Sequence, residues 1–308
     1  MGIIKATFRR YHQDDFLKIR NFLVETYGSF DRPFNWTLER WNFAIMSQMM
    51  NGVDRKEWED KIGIWEKNGE IQAVVNSEGE NSGEVFFQVR SMKIPENILE
   101  DMFAYSENIY PIKKDNKKYI QLRIPSVAES WEDIARDRGY IKKEWQEAIS
   151  VMEINEKLQV KLPSNELQIK TGDEVTDTAK GLAHAKAFDY LDDEKYVKRA
   201  PEGFRLLRKM PDYRPDLDLC IVSEKSGEIV SFSTIWYDEK NKVGILEPVG
   251  TIPEYQRQGL ARTIIYEDIN RIAREGAEKV YVGTDKAFYL AIGFKRKYAY
   301  NIWEKSFN

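Results

Sequence analysis

Hydrophobic and polar positions along the chain switch between a two-residue and a 3.6-residue period, and the switches mark out a series of elements. Ile3–Phe8 reads as a short strand. Asp14 or Asp15 can cap a helix that puts Phe16, Ile19, Phe22 and Leu23 on one stripe, and Leu38–Met49 continues helically with aromatics and Met. Ile62–Glu66 and Ile71–Asn76 read as strands joined through Asn68-Gly69, a hairpin signal. After a turn at Asn81–Gly83 come a strand at Val85–Val89, a helix at Glu96–Tyr110 and a strand at Tyr119–Ile124. A helix at Ser130–Arg138 stops at Gly139, and a long strand follows at Ile141–Ile154.

The second half repeats this order. Leu167–Lys170 is a strand, Asp173–Asp189 a helix and Glu202–Lys209 a further helical piece. Leu217–Val222, Ile229–Tyr237 and Gly244–Thr251 are strands, the first two joined at Ser226-Gly227. Leu260–Glu275 is an amphipathic helix, Val280–Gly283 a strand, Lys286–Ile292 a helix stopped by Gly293, and Phe294–Trp303 a strand. The polar stretch Asn155–Asn165, with Pro163, separates the copies, so the expected domains are 1–157 and 165–308. The expected class is α/β: in each copy a central, mostly antiparallel mixed sheet flanked by helices.

Composition narrows the function. The chain has 308 residues, with 47 Lys and Arg against 51 Asp and Glu, a net charge of −4 and a 42% hydrophobic share. That balance suits a folded chain and argues against a dedicated nucleic-acid partner. The basic run Lys113–Lys118 reads as a solvated loop. No apolar run is long enough to span a membrane, and Ala6 fails the myristoylation pattern after Met1-Gly2. One Cys and two His leave no structural zinc site and no internal disulfide, and with no secretory signal the expected location is the cytoplasm. Cys220 reads as a buried strand residue and His184 as a helix-face residue. Oligomeric state is not readable from the chain.

The stretch that carries chemistry is Glu247-Pro-Val-Gly-Thr-Ile-Pro-Glu-Tyr-Gln-Arg-Gln-Gly-Leu-Ala-Arg262. A strand ends near Thr251, a turn follows, and a helix begins, leaving free backbone N–H groups that suit a phosphate. Gly259 admits close backbone approach, Ala261 is small, and Arg257 and Arg262 add positive charge. Pro248 interrupts the strand's donor ladder, and a bulge there would splay the sheet.

Gln256-Arg-Gln-Gly-Leu-Ala261 resembles the Q/R-x-x-G-x-G/A motif of the GNAT superfamily of N-acetyltransferases. Val249-Gly-Thr-x-Pro253 resembles the strand that leads into it, and Tyr289-x-x-x-Gly293-Phe294 the later helix signature. The three occur in order, within 166–308. The resemblance implies transfer of an acetyl group from acetyl-CoA to a small-molecule or peptide amine by direct attack, with no metal. It implies that Val249, Gly250, Thr251, Gln256, Arg257, Gln258, Gly259, Leu260, Ala261 and Arg262 hold the cosubstrate, with an oxyanion donor near Val249–Thr251. Tyr289 is the candidate general acid. Glu247 is the candidate base, four residues before Thr251 and so on its face by strand alternation. The first copy resembles the family only in element order and in Gly139-Tyr140; its loop at Lys93–Asn97 lacks glycine and carries Glu96, so it is read as degenerate. A non-catalytic acyl-CoA-binding sensor or structural module is the alternative.

Overall fold

The computed structural model describes residues 6–30, 32–50, 55–79, 83–114 and 116–307. The start of the expected first strand, most of the Asn81–Gly83 turn, Asp115 in the basic run and Met1-Gly2 lie outside them. The chain divides into two compact units, Met1–Ile149 with Lys297–Asn308, and Ser150–Arg296. Both are mixed α/β. They do not follow the single cut near residues 157–165 expected from sequence: the break comes earlier, and the last residues return to the first unit.

The first unit runs β1 (Thr7–Arg10), α1 (Asp15–Phe30), α2 (Leu38–Met50), α3 (Arg55–Glu59), β2 (Gly63–Lys67), β3 (Glu70–Asn76), β4 (Glu84–Val89), α4 (Glu96–Ile109), β5 (Ile112–Lys114), β6 (Lys117–Pro125), α5 (Glu129–Asp137) and β7 (Ile141–Glu153). Its strands pair antiparallel except β4 with β6. Aromatic rings fill much of its core: Phe34, Phe87, Phe103 and Trp131 meet between sheet and helices. Of the six Trp in this half, five are buried, while Trp145 is 49% exposed.

The second unit opens on the end of β7, from Ser150, and runs β8 (Leu167–Lys170), α6 (Asp177–Ala187), α7 (Glu194–Leu207), β9 (Asp218–Ser223), β10 (Ile229–Asp238), β11 (Val243–Thr251), α8 (Leu260–Arg274), β12 (Lys279–Val282) and α9 (Ala287–Ala291); β13 (Lys295–Phe307) starts in it and passes into the first unit at Lys297. Thr176 caps α6 by accepting the Ala179 N–H at 3.1 Å. Asp193 caps α7 by accepting the Tyr196 N–H at 3.0 Å, so α7 begins two turns before the expected Glu202. Pro201 lies inside α7, and Gly181 of α6 makes room for it: a Cβ at 181 would sit 2.8 Å from the Pro201 nitrogen. The apolar stripe of α8 (Ile265, Ile269 and Ile272) packs on Leu246, Val280 and Phe294.

The closing strands are exchanged between the halves. Tyr300–Phe307 of β13 pairs antiparallel with Pro125–Lys118 of β6, completing the first unit's sheet. Ser150–Glu153 of β7 pairs antiparallel with Val282–Lys279 of β12, completing the second. Each half therefore relies on the other's last strand to cover an edge that would otherwise expose a ladder of donors and acceptors.

Candidate active site

The site is built on β11. Its parallel pairing with β12 joins Val243–Ile245 to Lys279–Tyr281 and goes no further. Against β10 the register slips: Ile235 faces Leu246, but Ser233 faces Val249. β11 thus advances three residues where β10 advances two, which is a bulge at Glu247-Pro248 opposite Thr234. The bulge falls where Pro248 leads one to expect it. The Glu247–Pro248 peptide is cis.

Beyond the bulge, alternation decides which backbone groups are available. The Ile252 N–H donates to Val230 O at 3.1 Å, so residues 252 and 250 address β10 while 251 and 249 address the splayed edge. The Gly250 carbonyl is turned toward β10, where it accepts the Ser231 hydroxyl at 3.0 Å. The N–H groups of Val249 and Thr251 point into the gap. The Thr251 carbonyl there accepts Gln256 Nε2 at 3.2 Å. The slip has a second consequence: the shared face expected for Glu247 and Thr251 assumed unbroken alternation, and the extra residue between them removes that basis.

The chain then turns through Pro253–Tyr255 into α8. Gly259 is the N-cap, left-handed at φ 83°, and Arg257 is also left-handed at φ 59°. Among the described residues no side chain caps α8, and its first turn holds no acid. Its leading N–H groups and its dipole are therefore open to an anion. Arg257 and Arg262 are exposed beside them, Ala261 is half-buried, and Leu260 is buried in the core, so Leu260 offers the site only its backbone. Gln258 Nε2 donates back to Glu254 O at 3.3 Å, bracing the turn.

Tyr289 stands on α9, half-buried against the α8 core, with Phe294 edge-on at 5.8 Å. Burial pushes its phenol up to about 12, and the Glu247 carboxylate adds to the shift. The hydroxyl therefore keeps its proton throughout the neutral range. That shift also places Glu247, which is exposed, within electrostatic reach of Tyr289. The Glu247 carbonyl accepts Trp236 Nε1 at 2.9 Å, which pins the bulge to β10.

Two clusters escape sequence reading. Asp218, buried at the head of β9, accepts Lys180 Nζ at 2.6 Å, Thr234 Oγ1 at 2.7 Å and Tyr213 OH at 2.8 Å. Thr234 is the residue opposite the bulge, so this carboxylate ties α6 and β9 to the bulged pair. The other surrounds His184, whose Nδ1 lies 2.7 Å from Tyr196 OH among stacked aromatic rings. Burial, with Lys180 nearby, lowers the imidazole to about 4. Cys220 is buried on β9, and burial raises its thiol to about 11. A signal for either cluster was thin: a lone Lys and a lone His on one helix, each ordinary alone.

In the first unit the equivalent strand is closed. β4 leaves β6 after Phe86, as β11 leaves β12 after Ile245, but its register with β3 is unbroken from Ala73↔Val89 to Asn76↔Phe86. Arg90 N–H bonds Gln72 O, so Val89 holds the outward position that Val249 holds in β11. Buried Asn35 occupies it: Oδ1 accepts the Val89 N–H at 2.9 Å and Nδ2 donates to Val89 O at 2.8 Å. α4 then starts with Pro95 as N-cap and Glu96 in its first turn.

In the second unit, then, a sheet splays beside a bulged strand that runs into an open helix N-terminus. The chain matches the family model for the acetyltransferase (GNAT) family over residues 185–300. It is 26% identical over 127 residues to an uncharacterized N-acetyltransferase, CgeE, of Bacillus subtilis, a match spanning 39% of this chain and 49% of that protein, about half its length. In fold it is similar to a GCN5-related N-acetyltransferase from Sphaerobacter thermophilus (TM-score 0.61, 15% identity, 99% of this chain and 97% of that one). It is also similar to a tandem GNAT protein from the clavulanic acid biosynthesis pathway (TM-score 0.63, 9% identity, 98% of each chain). Among the described residues no helix is long and apolar enough to cross a membrane.

Proposed function

We propose that the chain transfers an acetyl group from acetyl-CoA to an amine, through one site in the second unit. The observation that carries this reading is the outward N–H of Val249 beside the splay, in line with the open N-terminus of α8. The uncapped, acid-free first turn and the exposed Arg257 and Arg262 suit the phosphates of the cosubstrate. The outward Thr251 N–H suits an extended amide-bearing arm, which would add to the sheet as a strand does.

Acetyl-CoA supplies the activated acyl group. The Val249 N–H donates to the thioester oxygen as charge grows there. Glu247 takes the amine's proton, directly or through water. The N–C bond forms as the C–S bond breaks, and Tyr289 gives its proton to the departing thiolate. Its raised pKa suits a donor that must not ionise first. The first unit we read as a degenerate copy, because Asn35 fills the position of the oxyanion donor and β4 has no bulge.

Tyr289→Phe tests the assignment. Acetyl-CoA affinity should hold within about twofold while turnover falls about 100-fold or more, the scale of a lost general acid. Glu247→Gln should likewise spare binding and cut turnover. Undiminished turnover in both variants overturns the roles given to these residues.

A further inference from the structure

A buried acid beneath the bulge carries an inference that rests on the acyltransferase reading and adds a residue to it. Along α8, Ile265, Asp268, Ile269 and Ile272 share the buried face. Asp268 interrupts that apolar stripe. Two other buried polar side chains of α8 are satisfied: Thr263 Oγ1 donates to Lys161 O at 3.0 Å, and Asn270 Nδ2 to Leu158 O at 2.9 Å. Asp268 differs. Among the described residues neither of its carboxyl oxygens has a hydrogen-bond partner of regular geometry. Buried polar groups are almost always paired, so an unpaired acid asks what it serves.

The hydroxyl beside it belongs to Ser233 of β10. Ser233 Oγ is also buried and without a regular partner, and it stands near enough to act on the carboxyl as a donor. In the β10–β11 ladder Ser233 faces Val249. Because the Val249 N–H points into the gap, this is the close, non-hydrogen-bonded kind of pair, in which facing side chains lie nearest each other. The Val249 side chain packs on the α8 core, the same side of the sheet as Asp268. Thr234, the next residue, turns to the opposite side, where its hydroxyl donates to Asp218 at 2.7 Å. The two β10 residues at the bulge thus each meet an acid, one from either face.

The two acids differ in charge. Burial holds the Asp268 carboxyl well above the usual carboxylate range; the Asp218 carboxylate adds to this, while Ser233, Lys180 and Arg271 oppose it. The nearby Cys220 thiol stays protonated. Asp268 is therefore the uncharged acid at neutral pH. It offers one O–H donor and keeps acceptor capacity, which a single hydroxyl can match.

We propose that Asp268 is a positioning residue for the transfer: its carboxyl and the Ser233 hydroxyl form a hydrogen-bonded pair that holds β10 against Val249 and so aims the Val249 N–H at the thioester oxygen. Asp268 itself touches neither acetyl-CoA nor the amine. Without the pair the donor remains but is held less well, and a misplacement of about 1 Å can cost about 100-fold in rate.

The test needs no acceptor. Acetyl-CoA isotope-labelled at its carbonyl carbon is bound to the full chain. Calorimetry gives its affinity, and isotope-edited infrared difference spectra give its C=O stretch, which a hydrogen bond lowers relative to free acetyl-CoA. The wild type should show one lowered band. Asp268→Leu and Ser233→Ala should each bind acetyl-CoA with little change yet lose most of that lowering, and the double variant should lose no more than the worse single one. Ser233→Ala deletes a single oxygen and decides the question where Asp268→Leu does not fold. Asp268→Asn, which keeps an uncharged donor and acceptor, should restore the wild-type band, as it would not if only packing mattered. If acetyl-CoA binds and both single variants keep the wild-type band, or Asp268→Asn matches Asp268→Leu, the inference is overturned and the acyltransferase reading stands. If acetyl-CoA does not bind the wild type, that reading fails and takes the inference with it.

Discussion

Asp218→Ala removes the acceptor at the centre of the second unit's buried polar cluster. In the native protein the Lys180 ammonium, 0% exposed, is 2.6 Å from Asp218 Oδ1. Its other polar neighbour is Cys220 Sγ at 3.4 Å, a weak acceptor whose thiol stays protonated. The variant strands a charge with no solvent, and the hydroxyls of Thr234 and Tyr213 lose their acceptor too. Breaking one side of a buried pair costs about 3–5 kcal/mol. Lys180→Met alone should cost less, because Asp218 keeps two hydroxyl donors. Lys180→Met with Asp218→Leu should cost less than Asp218→Ala, since replacing both charges by apolar groups is close to neutral. Amide hydrogen exchange of β9 and β10 under increasing denaturant reads the second unit by itself. A loss below about 1 kcal/mol in Asp218→Ala, or strictly additive single and double variants, refutes the argument that the pair is held by mutual compensation.

Burial raises the Asp268 carboxyl on α8 well above the usual carboxylate range, and the Asp218 carboxylate adds to it. Folding then favours the protonated acid, so this group's contribution is intact below the unfolded pKa and is lost as pH rises toward the folded one. Asp268→Asn should flatten that fall and leave the protein more stable than wild type at neutral pH, measured as melting temperature against pH. Gly250→Ala should overpack the junction of β11 and α6, where the new methyl meets the Phe232 ring and Ala187, at a cost of about 1–3 kcal/mol in denaturant melts.

What the sequence disclosed was local. Gln256–Ala261 and Pro248 lie within one strand–turn–helix passage, where residue type dictates backbone directly: a proline without a donor, a glycine at φ 83°. The bulge and the open helix could be read there, and the α9 tyrosine from the short run Tyr289–Phe294. Partner choice could not. Ile141–Glu153 and Lys295–Phe307 carry the same strand pattern, and a pattern specifies a strand, not the edge it joins, so the exchange of closing strands stayed hidden. The first copy was read as degenerate from Lys93–Asn97, yet the more telling residue is Asn35, 54 positions before the Val89 it occupies. The Asp218 cluster is silent for the same reason: it gathers Lys180, Tyr213 and Thr234 from separate elements. Asp193 and Pro201 misled together, because a charged start and an internal proline disguise a helix that tertiary packing sustains.

The central claim is a single acetyl-CoA site on the β11–α8 junction. Calorimetric titration of acetyl-CoA into the wild type and into Gly259→Glu tests it most directly, with Gly259→Asn as a control that tolerates the left-handed backbone. The account predicts one acetyl-CoA per chain in the wild type, retained binding in Gly259→Asn, and no binding in Gly259→Glu despite an unchanged circular dichroism spectrum. Two sites per chain, or undiminished affinity in Gly259→Glu, would contradict it.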